Sequence, residues 1–206
     1  PAEGLDLVRK FKSDPSMGPC TVLLGVPTHW RTLRSDCVRD EVMHDVVRAG
    51  DIISPWTVGR YTTPRQAEAY ARTTARADLD WCRQNRKDFM PVVFPGFSWH
   101  NMNPRSPLDQ IPRLKGKFLW SQYQAAREIG ATMVYQAMFD EVDEGTAIFK
   151  CTNDPPVGES KFVTYEGLPS DFYLKLVGQA GRLIRGEKIG DATLFPPASA
   201  TATGQK

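Results

Sequence analysis

The stretch Met138-Phe139-Asp140-Glu141-Val142-Asp143-Glu144-Gly145-Thr146 places four carboxylates within five residues at the end of an apolar run. Acids this close repel one another, and holding them at the carboxyl edge of a sheet costs stability. That cost points to chemistry, although the first turn of a helix would also accept acids. If the backbone turns helically here, Glu141 and Glu144 at i and i+3 share one side, with Cβ atoms about 5–6 Å apart. One ionised and one protonated carboxyl at that spacing are the base and acid that cleavage of a glycosidic bond needs. A competing use is metal ligation by the oxygens of Asp140, Glu141, Asp143 and Glu144. The string lacks the Asp/Asn alternation and the downstream Glu of a calcium loop, and no metal or other cofactor is expected.

Three further loops supply what a sugar site requires: His29 and Trp30; Trp56 with Arg60 and Tyr61; and Trp99, His100 and Asn101. Flat rings stack on sugar faces, and polar neighbours bind hydroxyls. With Asp140 and Asp143 these form the candidate substrate-binding set. A lone Trp or His is more often packed than functional, so Trp81 and Trp120, which fall in helical patterns, are assigned to packing. His44 is read as structural, and Gly178 and Gly181 as close-packing positions in the last helix.

The elements that would carry these loops repeat four times: an apolar run, an aromatic and polar loop, then a helical pattern. The first unit has a strand over Thr21 to Val26 and a helix from about Val38 to Ala49, closed by Gly50 and capped by Asp36. The second has Ile52 to Ser54 and a long helix opening at Pro64 behind Thr63. The third runs from Phe89 to Phe94, with a helix from about Lys117 to Ile129. The fourth has Ala131 to Met138 and a helix from about Ser170 to Arg185. Leu5 to Lys12 reads as an unpaired helix before the first strand.

Strands apolar on both faces and separated by helices predict an α/β fold with a parallel sheet. Functional loops gathered after the strands fit a (β/α)8 TIM-barrel type best, with only about four β/α units in this chain. Four strands would also suffice for the alternative, an open doubly wound parallel sheet. Residues 1–195 are expected to form one domain. Residues 196–206, small and polar, are expected to be a flexible tail.

At 206 residues the chain is long enough for a full hydrophobic core without disulfide support. Lys and Arg total 26 against 24 Asp and Glu, a net charge of +2, too small for a nucleic-acid stripe or a polybasic membrane patch. No apolar run approaches the roughly 20 residues of a bilayer span, so neither nucleic acid nor membrane is an expected partner. Cys20, Cys37, Cys82 and Cys151 form no C-x-x-C and sit beside no His, which leaves pairing open and encodes no zinc or redox motif. The sequence begins at Pro1 without Met or a leader, as expected of a processed chain or a piece of a longer one.

The motifs GVPTHWR (Gly25 to Arg31), SPWTVGRY (Ser54 to Tyr61), PVVFPGFSWHN (Pro91 to Asn101) and AMFDEVDEGTAIFK (Ala137 to Lys150) together resemble glycoside hydrolases related to families 71 and 99. Those include bacterial proteins labelled xylosidase or arabinosidase. The resemblance covers most of the chain and implies the second half of a (β/α)8 barrel acting on a carbohydrate. Family 99 enzymes carry F-N-E-W-H-E-G-T, matched here by Phe139, Glu141, Glu144, Gly145 and Thr146. By that resemblance Glu141 is the base that deprotonates the sugar 2-hydroxyl, whose oxygen displaces the leaving group to form an anhydro-sugar. Glu144 is the acid that protonates the departing oxygen. The chain departs from the motif at Asp140, Val142 and Asp143, so mannose specificity does not carry over.

A glycosidase on an oligo- or polysaccharide is therefore the expected function, with a non-catalytic carbohydrate-binding protein as the alternative. Half a barrel would expose apolar strand edges, so a second chain or a missing N-terminal segment is expected to complete it. Glycan-degrading enzymes usually work outside the cytoplasm, which makes an extracellular or periplasmic location the expectation.

Overall fold

The computed structural model describes residues 2–16, 18, 20–156 and 158–189. The expected tail, residues 196–206, lies outside them. Helix α1 (Ala2–Ser13) precedes β1 (Leu23–Val26), α2 (Val42–Ala49) and β2 (Ile52–Pro55). A long helical segment then runs as α3 (Pro64–Tyr70), a π-helical turn (Ala71–Ala75) and α4 (Arg76–Gln84). Strands β3 (Asp88–Phe89) and β4 (Val92–Val93), helix α5 (Lys117–Glu128), strand β5 (Tyr135–Gln136) and helix α6 (Phe172–Arg185) complete the order.

The described strands pair in parallel, β1 with β2, β2 with β3, and β4 with β5, and an isolated antiparallel bridge joins Phe97 to Ile111. The expected third strand is split, because Pro91 has no N–H to continue the ladder. Its first half pairs with β2, and its second half pairs with β5 through Tyr135 N–H to Pro91 O and Ala137 N–H to Val93 O, each 2.9 Å. Among the described strands the spatial order therefore follows the chain without reversal. The switch point of a doubly wound sheet is not seen among the described strands, which form a three-stranded sheet β1-β2-β3 and a two-stranded sheet β4-β5. The α/β class read from the sequence is the architecture observed.

Local chemistry explains several boundaries. Helix α3 opens with Pro64 at its first turn, and the Thr63 side chain accepts from Gln66 N–H at 3.2 Å. The Gln66 side chain answers by accepting from Thr62 N–H at 2.8 Å, a reciprocal cap. Helix α2 starts later than expected, and Asp36 does not cap it. The cap position is Glu41, which makes no side-chain cap bond, and one residue earlier the Asp40 carboxylate accepts from Val42 N–H at 3.0 Å. Helix α6 ends at Gly186 in the left-handed region (φ 77°), as a C-terminal glycine should.

Helix α5 is buried almost all round, including Phe118, Leu119, Trp120 and Tyr123, and it contacts α3, α6 and β4. Each such fully buried large apolar side chain contributes about 1.5–3 kcal/mol relative to exposure. Gln122, also buried, acts as a surrogate strand partner. Its side chain accepts from Phe94 N–H at 3.1 Å and donates to Phe94 O at 2.8 Å, satisfying the backbone just past β4. Trp120 packs in this core, as expected. Gly178 does not match its expected close-packing role: it is exposed, and a Cβ there would meet nothing within 4 Å. No disulfide joins the four cysteines. No helix among the described residues is long and apolar enough to cross a membrane.

Candidate functional site

Parallel strands end at one edge, so the loops after β1, β2, β4 and β5 emerge on the same side of the sheet. The loop after β5 carries the acids. It folds on itself through main-chain bonds: Glu141 O accepts from Thr146 N–H (3.1 Å) and Ala147 N–H (3.0 Å), and Phe139 O accepts from Phe149 N–H (3.0 Å). Gly145 sits at φ 67°, where a Cβ would press against Val163 Cγ2 at 3.1 Å, so both conformation and space demand glycine.

The loop is also held from outside by its backbone. Ser98 N–H donates to Glu144 O at 2.7 Å, and the Asn101 amide donates to Asp143 O at 3.1 Å. Arg113, 1% exposed, donates to Gly145 O (2.8 Å) and Ala147 O (2.7 Å), with its guanidinium carbon 4.5 Å above the Tyr173 ring. None of these contacts uses a carboxylate. Glu141 and Glu144 are half-buried, whereas Asp140 and Asp143 are exposed. The Glu141 and Glu144 carboxyls lie within hydrogen-bonding reach of each other. Burial first, then the charges of Glu141 and Asp143 and the shared hydrogen bond, raise the pKa of Glu144 above the usual carboxylate value. Among the described residues, no three or more His, Cys, Asp or Glu side chains converge to hold a metal ion.

The loops after β1 and β2 are interlocked. Thr28 Oγ1 donates to Trp56 O at 2.5 Å, and Trp56 N–H donates to Val26 O at 2.9 Å. Asp36 is the hub: it accepts from Thr28 N–H (3.0 Å), His29 N–H (3.1 Å), His29 Nδ1 (2.8 Å) and Arg60 Nη2 (2.5 Å). Its partial burial pushes the pKa up. The His29 side-chain bond, the two backbone N–H groups and the Arg60 charge outweigh that and bring it down to about 2. Asp36 is therefore a network centre and not the helix cap its local sequence suggests.

The structure sorts the expected binding residues. Trp56 (43% exposed) and Trp99 (41% exposed) present open rings, and His29 and Arg60 are also accessible. The Trp56 ring centroid lies 6.5 Å from that of Tyr135 on β5, although β2 and β5 are not paired. Their side chains therefore meet across the segment carrying β3 and β4, linking the β2 end to the acid loop. Phe139, 59% exposed beside the acids, is an apolar surface that the sequence reading did not single out.

Two aromatic residues are corrected. Trp30 is fully buried, packed edge-on against Trp81 with centroids 4.8 Å apart, and offers no face to a ligand. Tyr61 is buried beside Phe94 and Phe118, and its hydroxyl donates to Gln122 Oε1 at 3.1 Å. It anchors the β2 loop to α5. Asn101 and His100 also serve the scaffold: the Asn101 amide spans Asp143 O and Lys161 O, and His100 Nδ1 bonds Ser106 O at 2.8 Å. His44 is structural as expected, its Nε2 3.2 Å from Arg31 O.

No family model matches the sequence, and a search of curated proteins finds no match. Solved structures do match. The GH99 endo-alpha-mannosidase from Bacteroides thetaiotaomicron superposes with a TM-score of 0.59 at 20% identity, covering 89% of this chain and 61% of that one. The GH99 endo-alpha-mannosidase from the same organism in complex with BIS-TRIS-propane gives a TM-score of 0.55 at 18% identity, covering 90% of this chain and 65% of the other. The likeness is one of fold, and the chain spans less than two thirds of the length of either structure.

Proposed function

We propose that this chain carries the acid–base half of a glycoside hydrolase of the (β/α)8 type, acting on an oligo- or polysaccharide outside the cytoplasm. The observation that carries the reading is the Glu141–Glu144 pair: two half-buried carboxyls within reach of each other at the end of β5, one of them with a raised pKa. A carboxyl that keeps its proton beside a second acid is the arrangement for protonating a departing glycosidic oxygen. Glu144 takes that role. Glu141 serves as the base that removes the proton of the sugar 2-hydroxyl, so that this oxygen displaces the leaving group. Trp56 and Trp99 supply exposed rings for stacking.

The rest of the barrel comes from a further segment or a second chain. The exposure of Leu23 on β1, and of Leu7 and Phe11 on α1, supports that arrangement. The open Trp56 and Trp99 rings would equally serve a protein that binds carbohydrate without cleaving it, and the same experiment separates the two. Wild type, Glu141→Gln and Glu144→Gln are incubated with plant, fungal and bacterial glycans, and bound and shortened sugars are read by mass spectrometry. Wild type should shorten a glycan, and each variant should keep the fold but lose at least about 10²-fold in rate. Full activity in both variants would remove the assignment, and intact bound sugar from wild type would establish the binding protein.

A further inference from the structure

The hydrogen bonds around Asp36 dictate more than the shape of a loop. An ionised carboxylate only accepts, so His29 Nδ1, at 2.8 Å, must carry a proton, and in the neutral imidazole Nε2 is then a pure acceptor. No hydrogen bond to Nε2 is made among the described residues. Arg60 spends Nη2 on Asp36 and keeps its other nitrogens as donors. The exposed edge of this network thus sets His29 Nε2 beside the remaining Arg60 donors, and the Asp36 charge cancels that of Arg60. Such a pattern suits adjacent hydroxyls of an uncharged sugar, not a carboxylate or phosphate.

Its position matters as much as its chemistry. With β3 and β4 as consecutive halves of one strand, β5, which precedes the acids, is three strand spacings from β1, about 14 Å. One sugar ring cannot touch both ends. Trp56 lies between them: its carbonyl is tied to Thr28 in the β1 loop, and its ring lies against Tyr135 of β5.

We infer that Asp36 is a positioning residue that fixes His29 and Arg60 into a distal subsite for a neutral sugar unit, reached along Trp56 from the bond being cleaved. The inference rests on the glycosidase reading and adds to it a subsite away from the cleaved bond that recognises uncharged hydroxyls.

The test compares wild type, Asp36→Asn and Arg60→Met on neutral xylo-, gluco- and manno-oligosaccharides of graded length. The matching nitrophenyl monoglycosides and oligogalacturonates are run beside them. Arg60→Met leaves the backbone bonds to Asp36 in place, so it guards against a loop that merely unfolds. Both variants should lose about tenfold more kcat/KM on the long neutral chains than on the monoglycosides, the size of one or two hydrogen bonds. An equal loss at every length, or no loss, would overturn the subsite, as would a wild-type preference for the acidic oligomers. Separately, ¹⁵N NMR of the ligand-free protein should find His29 protonated at Nδ1. The opposite tautomer would overturn the role of Asp36 whatever the substrate, whereas absence of turnover on every glycan would overturn the glycosidase reading itself and the subsite with it.

Discussion

Asp36 and Glu144 both lie in loops that follow the carboxyl ends of parallel strands and are treated in opposite ways. Asp36 is positioned through its carboxylate, which accepts four hydrogen bonds and has its pKa drawn down to about 2. Glu144 is positioned through its carbonyl, which accepts from Ser98 N–H, and its carboxyl is left beside two other acids with its pKa raised. A carboxylate saturated with donors can orient neighbours but has little to exchange with a substrate. One placed by its main chain beside other acids binds its proton more tightly than an ordinary carboxyl and stays free to transfer it. The difference separates a residue that arranges a site from one that reacts in it.

The largest effect tests whether the backbone really holds the acid loop. Arg113→Ala leaves the buried Gly145 carbonyl without its donor, leaves that of Ala147 to the Tyr165 hydroxyl alone, and opens a cavity under Tyr165 and Tyr173. It should cost about 3 kcal/mol in denaturant unfolding. Arg113→Met, which refills part of the volume, should cost less. A loss below about 1 kcal/mol in the alanine variant would mean the loop supports itself.

A second experiment addresses the other side of the contrast. The folded-state pKa of Asp36 is depressed, so its contribution to stability is fully present above the ordinary aspartate range and is lost as pH falls through about 2. Asp36→Asn should therefore melt below wild type at neutral pH, with the gap narrowing as pH is lowered across the carboxylate range. A gap that stays constant with pH would show that the carboxylate charge adds nothing beyond its hydrogen-bonding shape.

What the sequence announced and what it concealed divide along range. Thr63-Pro64 marked the start of α3 because capping involves atoms a few residues apart, and the Glu141–Glu144 pairing was visible for the same reason. The network of Asp36 was hidden because Arg60 lies 24 residues away. Locally an Asp before a helical pattern looks like a cap, whereas the acid whose carboxylate meets the start of α2 is Asp40. Trp30 and Trp56 follow successive strands and look equivalent in sequence. Yet the turn after β1, closed by Trp30 N–H to Pro27 O, sends Trp30 into the core, whereas Trp56 stays open. Arg113 gave no signal at all, because its partners are carbonyls, which every residue possesses. The split of the third strand also depended on partners, since β2 and β5 each take one half of it.

The smallest expected effect is the most direct test of the contrast, because it separates reactivity from stability in one residue. A carboxyl whose folded-state pKa is raised binds its proton more tightly folded than unfolded. Wild type is therefore penalised once pH rises above the ordinary glutamate range and unpenalised below it. Glu144→Gln removes the ionisable group while keeping the shape, so at neutral pH the variant should melt slightly higher than wild type even as turnover collapses. That advantage should shrink to nothing as pH falls below the ordinary glutamate range, the reverse of an acid held by donors, where substitution hurts most at neutral pH. Thermal melts of the two proteins across that interval decide it. An advantage independent of pH would point to packing, and a variant less stable at neutral pH would mean that Glu144, like Asp36, is held by its carboxylate after all.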